Sequence, residues 1–118
     1  MTTLHDPIYF VAGDTWKIAG QLLDANGVPF DIATATSIEW LLNSVDGTFN
    51  HLRCDLTSDG GITIVNAAEG RILVMVDEVD TAAIPPGIYK DWCRIVSAGD
   101  TFTEWNGFIR VAPNPATA

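Results

Sequence analysis

Residues 13–40 carry the pattern that most constrains the fold of this chain: apolar side chains at every second position, interrupted by turn sequences. A period of two is typical of β-strands with one face buried. The turn at residues 24–27 contains Asn26 and Gly27, which adopt positive φ at little cost. We therefore predict a strand, a turn, a second strand, a short loop and a third strand, against which the rest of the chain packs. The predicted inward row is Trp16, Ile18, Gly20, Leu22, Val28, Phe30, Ile32, Ile38, Trp40 and Leu42.

The rest of the chain repeats this pattern in short pieces. Gly-containing turn sequences at residues 46–47, 58–61 and 97–100 separate alternating apolar runs, and no long segment has the period of a helix. About eight strands with turns every eight to twelve residues are typical of a β-sandwich or a small barrel. We predict an all-β fold with at most one short helical turn, at residues 77–84, capped by Asp80 or Thr81.

Two later strands differ in how clearly their faces can be assigned. The strand at residues 88–96 has two possible registers. If Tyr89 points inward, the core must accommodate Asp91, and a β-bulge is one way to do so. If Trp92 points inward, Lys90 and Arg94 share its face. We favour the first register. The strand at residues 71–76 is clearer, and the remaining predicted inward residues are Ile62, Ile64, Ile72, Val74, Val76, Thr103, Trp105, Gly107, Ile109 and Val111.

Length and charge restrict the class of protein. The chain of 118 residues suits one domain, which we place at residues 1–112 with a loose N-terminal arm at residues 1–7 and a Pro-containing tail at residues 113–118. The net charge of −9 repels phosphate backbones, so we expect no nucleic-acid partner. The sequence shows no signal-peptide pattern and no apolar run long enough to span a bilayer, so we expect no membrane partner and a protein that is made or assembled in a cytoplasm.

Residues with catalytic or metal-binding chemistry are sparse. His5 and His51 have no serine elbow or nucleophile pattern beside them, so we expect no enzyme and no catalytic residues. The densest acidic cluster lies at residues 77–80 and does not match a calcium-loop pattern, so we expect no metal and no cofactor. Cys54 and Cys93 both fall in predicted strands. We favour two free buried thiols over a disulfide across the core.

Apolar residues on predicted outer faces are the most informative irregularity of the sequence. Single exposed apolar residues mean little, but a group of them marks a protein interface. The alternative is that both faces of these strands are covered within the fold. Of the four tryptophans, we expect Trp16, Trp40 and Trp105 in the core and Trp92 partly exposed. The candidate interface residues are Leu23, Leu41, Leu73, Met75, Trp92, Phe102 and Phe108.

A family resemblance covers residues 8–112. The sequence GDTWKIAGQLLDANGVPFDIATATSIEWLL resembles the opening of small immunoglobulin-like domains in tail and baseplate proteins of tailed phages and prophages. The elements around residues 61–64, 81–89 and 107–111 resemble later parts of the same domains. The matching positions are Gly13, Asp14, Thr15, Asp24, Gly27, Pro29, Asp31, Ile32, Ala35, Thr36, Ile38, Gly70, Thr81, Ile84, Pro86, Gly87, Tyr89, Gly107, Ile109 and Val111.

The resemblance implies an immunoglobulin-like antiparallel β-sandwich and a structural or adaptor role in a virion. It implies partners among other tail or baseplate proteins, or self-association, and it transfers no catalytic residues. Likeness of fold does not by itself establish such a role. The rival interpretation is a carbohydrate- or ligand-binding β-module, which four Trp and two Tyr would suit. A small enzyme with His51 as its base is a weaker rival.

Overall fold

The computed structural model describes residues 3–4, 8–24, 26–57, 60–97 and 100–114, without the side chains of residues 3–4 and 100–106. Two β-sheets pack face to face. One is six-stranded, with the order β1-β9-β8-β4-β5 and β2 also paired with β9. The other is three-stranded, with the order β3-β7-β6. The strands are β1 Thr3–Leu4, β2 Ile8–Val11, β3 Trp16–Gln21, β4 Ala35–Ser44, β5 Asn50–Asp55, β6 Ile62–Asn66, β7 Arg71–Val76, β8 Gly87–Ser97 and β9 Asp100–Ala112, and the one helix described is α1, Glu78–Ala82.

The topology is that of an immunoglobulin-like sandwich, as predicted. Strand β2 runs parallel to β9. The strand pairs formed among β3, β4, β5, β6, β7, β8 and β9 are all antiparallel. Trp40 on β4 is completely buried between the sheets. The Tyr89 hydroxyl, near the start of β8, donates a hydrogen bond to the carbonyl of Pro85. A buried Trp on strand C of the immunoglobulin fold, which corresponds to β4 here, and a Tyr that bonds back to the preceding corner are both recurrent features of this architecture.

The core lies between the sheets and follows the predicted alternation. Trp16 is fully buried, stacks on Phe10 with ring centroids 4.8 Å apart, and donates its indole N–H to the Val11 carbonyl at 3.0 Å. Cys54 and Cys93 are both buried and free, as favoured from sequence. Cys54 on β5 and Cys93 on β8 lie on either side of Trp40, because β4 runs between their strands. Two strand spacings of about 4.8 Å therefore separate the two cysteines, which is too far for a disulfide. The core residues are Ala12, Trp16, Ile18, Leu22, Ile32, Ile38, Trp40, Leu42, Cys54, Ile62, Ile72, Val74, Val76, Ile84, Tyr89, Cys93, Ile95, Ile109 and Val111.

The second strand predicted in residues 13–40 does not form. Between β3 and β4 the chain makes one isolated bridge, Leu23 to Pro29. Its backbone instead bonds the turn between β6 and β7: the Leu22 N–H donates to the Gly70 carbonyl at 2.8 Å and the Ile32 N–H to the Ala67 carbonyl at 2.9 Å. The alternation correctly predicted that Ile32 is buried, but one bridge within the loop and hydrogen bonds to a distant turn replace the expected ladder.

The register that we favoured for β8 is correct, but β8 has no bulge at Asp91. Tyr89, Asp91, Cys93 and Ile95 are all buried, and Asp91 pairs in regular register with Leu42 and Gly107. The irregularity between β8 and β9 lies after Cys93 instead. Asp91 is accommodated because the Trp40 indole donates to it, which satisfies a buried acceptor.

Three further sequence expectations are corrected. Asp77, without a side-chain bond, occupies the N-cap of α1 in place of Asp80 or Thr81. Ile64 shares the face of Ile72 but lies at the open edge of its sheet and is 37% exposed. Val28, predicted to point inward, lies in the loop after β3 and is exposed. The predicted inward positions of Thr103 and Trp105 fall among side chains outside the described part of the structure.

Candidate interaction surface

The outer face of the six-stranded sheet brings together residues that are distant in sequence. Alternation along β8 puts Ile88, Lys90 and Trp92 on this face, because Tyr89, Asp91 and Cys93 fill the core. Antiparallel pairing sets Phe108 opposite Lys90 and Arg110 opposite Ile88. Parallel pairing of β2 then sets Tyr9 on the other side of Arg110. We name this set the cation–aromatic surface; its residues are Tyr9, Ile88, Lys90, Trp92, Phe108 and Arg110.

The apolar members of the cation–aromatic surface are unusually exposed for their size. Tyr9 is 71% exposed, Ile88 58% and Phe108 41%. With Arg110 they line a shallow depression of about 340 Å³. Exposed apolar side chains that adjoin one another and are rimmed by charge are characteristic of protein-binding surfaces.

Cations are concentrated on the same sheet face. The chain has only six Lys and Arg residues, and Arg53, Lys90, Arg94 and Arg110 all lie on the outer face of the six-stranded sheet. In a chain with a net charge of −9, four of the six cations therefore share one face.

Two of these cations are neutralised locally and two are not. Arg53 pairs with Asp55 at 2.7 Å and with Glu39 at 3.1 Å, and Glu39 also pairs with Arg94 at 3.4 Å. The Lys90 ammonium instead lies 4.7 Å from the Trp92 ring centroid and 5.9 Å from that of Phe108, within cation–π distance. Among the described residues, neither Lys90 nor Arg110 forms an ion pair.

The predicted interface residues separate onto opposite sides of the sandwich. Trp92, half-buried as expected, and Phe108 lie on the outer face of the six-stranded sheet, with half-buried Leu41 paired to Trp92. Leu73 and Met75 lie on the outer face of the three-stranded sheet, where Met75 pairs with Lys17 and is 43% exposed. These residues do not form one patch. Leu23 is half-buried in the loop bridge to Pro29, and the side chain of Phe102 lies outside the described part of the structure.

Sequence reasoning missed Tyr9, Ile88, Lys90 and Arg110 as surface partners. Tyr9 meets Arg110 only because β2 runs parallel to β9, a pairing between opposite ends of the chain. The available signal was the outward face of β8, where an apolar, a basic and an aromatic residue alternate with the core row.

A second concavity lies between the edges of the two sheets. It measures about 320 Å³ and is lined by residues that include Cys54, Gly61, Met75, Asp77 and Asp80. Burial raises the pKa of the Cys54 thiol to about 11, and the charges of Asp55 and Asp80 add to the effect. The thiol is therefore protonated at neutral pH, whereas nucleophilic cysteines need a lowered pKa.

The His51 ring contacts two aromatic rings. Its centroid lies 4.6 Å from that of Phe49 and 4.8 Å from that of Tyr89, both in edge-to-face geometry. In the described part of the chain, no three His, Cys, Asp or Glu residues are placed to hold a metal ion. Within that same part, no helix has the length and apolar character needed to cross a bilayer.

Comparison with known proteins gives a structural neighbour. No protein-family model matches the chain. No curated protein matches it either. The fold is similar to the solved N-terminal domain of phage TP901-1 ORF48, with a TM-score of 0.59 and 13% sequence identity over 90% of this chain and 84% of that chain. At the level of fold, this likeness confirms the resemblance to immunoglobulin-like phage domains that the sequence motifs indicate.

Proposed function

We propose that this chain is a non-catalytic structural or adaptor module of a phage or prophage particle, which contacts other tail or baseplate proteins through the cation–aromatic surface. The observation that carries the proposal is a group of residues on one sheet face of an acidic protein. Tyr9, Ile88 and Phe108 are exposed there. Lys90 and Arg110 lie beside them and form no ion pair with any described residue. Fold similarity to a phage protein domain supports the setting.

The absence of catalysis is part of the proposal and has its own support. The Cys54 thiol in the cleft is held protonated, and the His51 ring packs against two aromatic rings. Neither has the environment that activates a nucleophile or a general base.

Incorporation into particles tests this proposal. The gene is deleted from its phage or prophage and supplied in trans as wild type, as the surface variant Ile88→Ser/Arg110→Glu, or as the face control Met75→Ser/Lys17→Glu. Both double variants alter one exposed apolar residue and its cross-strand cation, on opposite faces of the sandwich.

We expect purified particles to contain the wild-type chain and the face control, detected by mass spectrometry, and to lack the surface variant. Circular dichroism must show that all three chains are folded. Particles that never contain the wild-type chain would refute the virion role. Equal incorporation of the two variants would refute the role of the surface.

A carbohydrate- or ligand-binding module is the second candidate, favoured by the three aromatic side chains on one sheet face. The Lys90 ammonium already lies near the rings of Trp92 and Phe108, which reduces the ring area open to a sugar. If sugars nevertheless stack there, oligosaccharide titration should change the tryptophan fluorescence of wild type, and Trp92→Ala should remove that change.

A further inference from the structure

The cation–aromatic surface has chemistry that specifies its complement. Two cations without ion pairs among the described residues, Lys90 and Arg110, flank an apolar depression formed with Tyr9, Ile88 and Phe108. A matching surface would carry an exposed apolar side chain surrounded by carboxylates, because apolar contact and charge pairing are then satisfied together.

Helix α1 of this same chain has that chemistry. Val79 is 77% exposed, the largest exposure among the large hydrophobic residues described. Asp77 and Glu78 precede it and Asp80 follows it, all exposed, and the last turn of the helix contains no basic residue. The segment is also firmly held, because the buried hydroxyl of Thr81 donates to the Asp14 carbonyl at 2.6 Å. A rigid projection loses less conformational entropy on binding than a mobile one.

We infer that the chain binds a second copy of itself, with α1 of one copy docked on the cation–aromatic surface of the next. Val79 enters the apolar depression, and Glu78 and Asp80 approach Lys90 and Arg110. The two contacting surfaces are different, so the contact is heterologous and propagates into rings or open chains. This inference uses the surface of the proposed function but needs no other virion protein.

Sedimentation of the purified chain tests this contact. We expect wild type, with a monomer mass of 12.7 kDa, to form oligomers whose average mass rises with concentration. The surface variant Ile88→Ser/Arg110→Glu and the helix variant Glu78→Lys/Val79→Ser should each weaken association at least about tenfold. The helix variant is informative because it makes the net charge less negative, which by itself would favour association.

Matched controls keep each change specific. Met75→Ser/Lys17→Glu controls the surface variant, and Val65→Ser/Glu69→Lys repeats the changes of the helix variant on the exposed residues of β6 and the following turn. Both controls should associate like wild type. Far-ultraviolet circular dichroism and urea unfolding establish that every variant is folded before its mass is compared.

Mixing the two interface variants gives the decisive result. The surface variant retains α1 and the helix variant retains the cation–aromatic surface, so an equimolar mixture should form a 1:1 complex that grows no further. A wild-type chain that stays monomeric up to about 1 mM, the weak end of specific association, overturns the inference. So does a mixture that remains monomeric while wild type associates. Either result leaves the particle-incorporation test standing, so the two proposals fail separately.

Discussion

The Trp40 indole donates its N–H to a carboxylate oxygen of Asp91 at 2.9 Å, between two side chains that are both completely buried. The bond joins β4 to β8 from within the core. It explains how an acidic residue occupies the inward row of a strand without a bulge.

Removing the acceptor should therefore destabilise the domain. Asp91→Leu leaves the buried indole N–H without this partner, and we expect it to lower the free energy of unfolding by about 1–3 kcal/mol. Asp91→Asn keeps an oxygen that accepts the bond and should lose less. Urea unfolding measures both, and equal losses in the two variants would show that the bond to Trp40 does not account for the buried acid.

The hydroxyl of Thr81 links helix α1 to the turn before β3 by hydrogen bonds. It accepts from the Gly13 N–H at 3.1 Å and donates to the Asp14 carbonyl. Thr81→Val keeps the shape but leaves both backbone groups without this partner, so we expect a loss of about 1–3 kcal/mol in urea unfolding. The matched change Thr36→Val, at an exposed hydroxyl, should stay within about 0.5 kcal/mol. Similar effects at both sites would contradict this role.

Gly70 lies where three chain segments meet. Its φ is +68°, and a Cβ there would lie 2.5 Å from the Phe30 carbonyl oxygen and 2.7 Å from that of Leu22. Gly27 has a similar φ of +77° with open space around its Cβ position. We expect Gly27→Ala to cost about 1–2 kcal/mol from backbone strain alone. Gly70→Ala should cost about 1–3 kcal/mol more, because the backbone must move apart. Equal melting temperatures of the two variants would contradict the close approach.

The buried thiol of Cys54 predicts a specific pH dependence. Its pKa is raised from 9.0 to about 11, so the unfolded chain ionises first as the pH rises. The stability contributed by the protonated thiol is complete below pH 9 and is lost between pH 9 and 11. Stability should therefore fall more steeply in wild type than in Cys54→Ala over this range. Parallel curves from urea unfolding at several pH values would contradict the shifted pKa.

The hydrophobic period predicted which faces of the strands are buried, because burial repeats along each strand independently of its neighbours. Trp16, Trp40 and Tyr89 were placed correctly for this reason. The prediction of a strand after β3 was wrong because the partner of this segment is the turn at Gly70. Hydrogen bonds from a loop to a distant turn produce no periodic pattern in the sequence. The predicted cap of the helix was wrong for a related reason, because the Thr81 hydroxyl bonds to the distant Asp14 carbonyl.

Two of the six residues of the cation–aromatic surface could be predicted. Trp92 and Phe108 were identified because aromatic residues on an outward face stand out in a single strand. Tyr9 and Arg110 were missed because their proximity depends on pairing between residues about one hundred positions apart, which local pattern does not encode. Leu73 and Met75 were correctly placed outward, but only the assembly of the two sheets shows that they lie on the opposite side.

The parallel pairing of β2 with β9 also sets the order of events during synthesis. Ile8 and Phe10 are made about one hundred residues before their partners Ile109 and Val111. Closing so long a loop is entropically costly, and folds rich in such distant contacts form slowly. The nascent chain therefore carries β2 without its partner strand while the intervening residues are translated. The stacking of Phe10 on Trp16 of β3 gives β2 an apolar contact that needs none of the later strands.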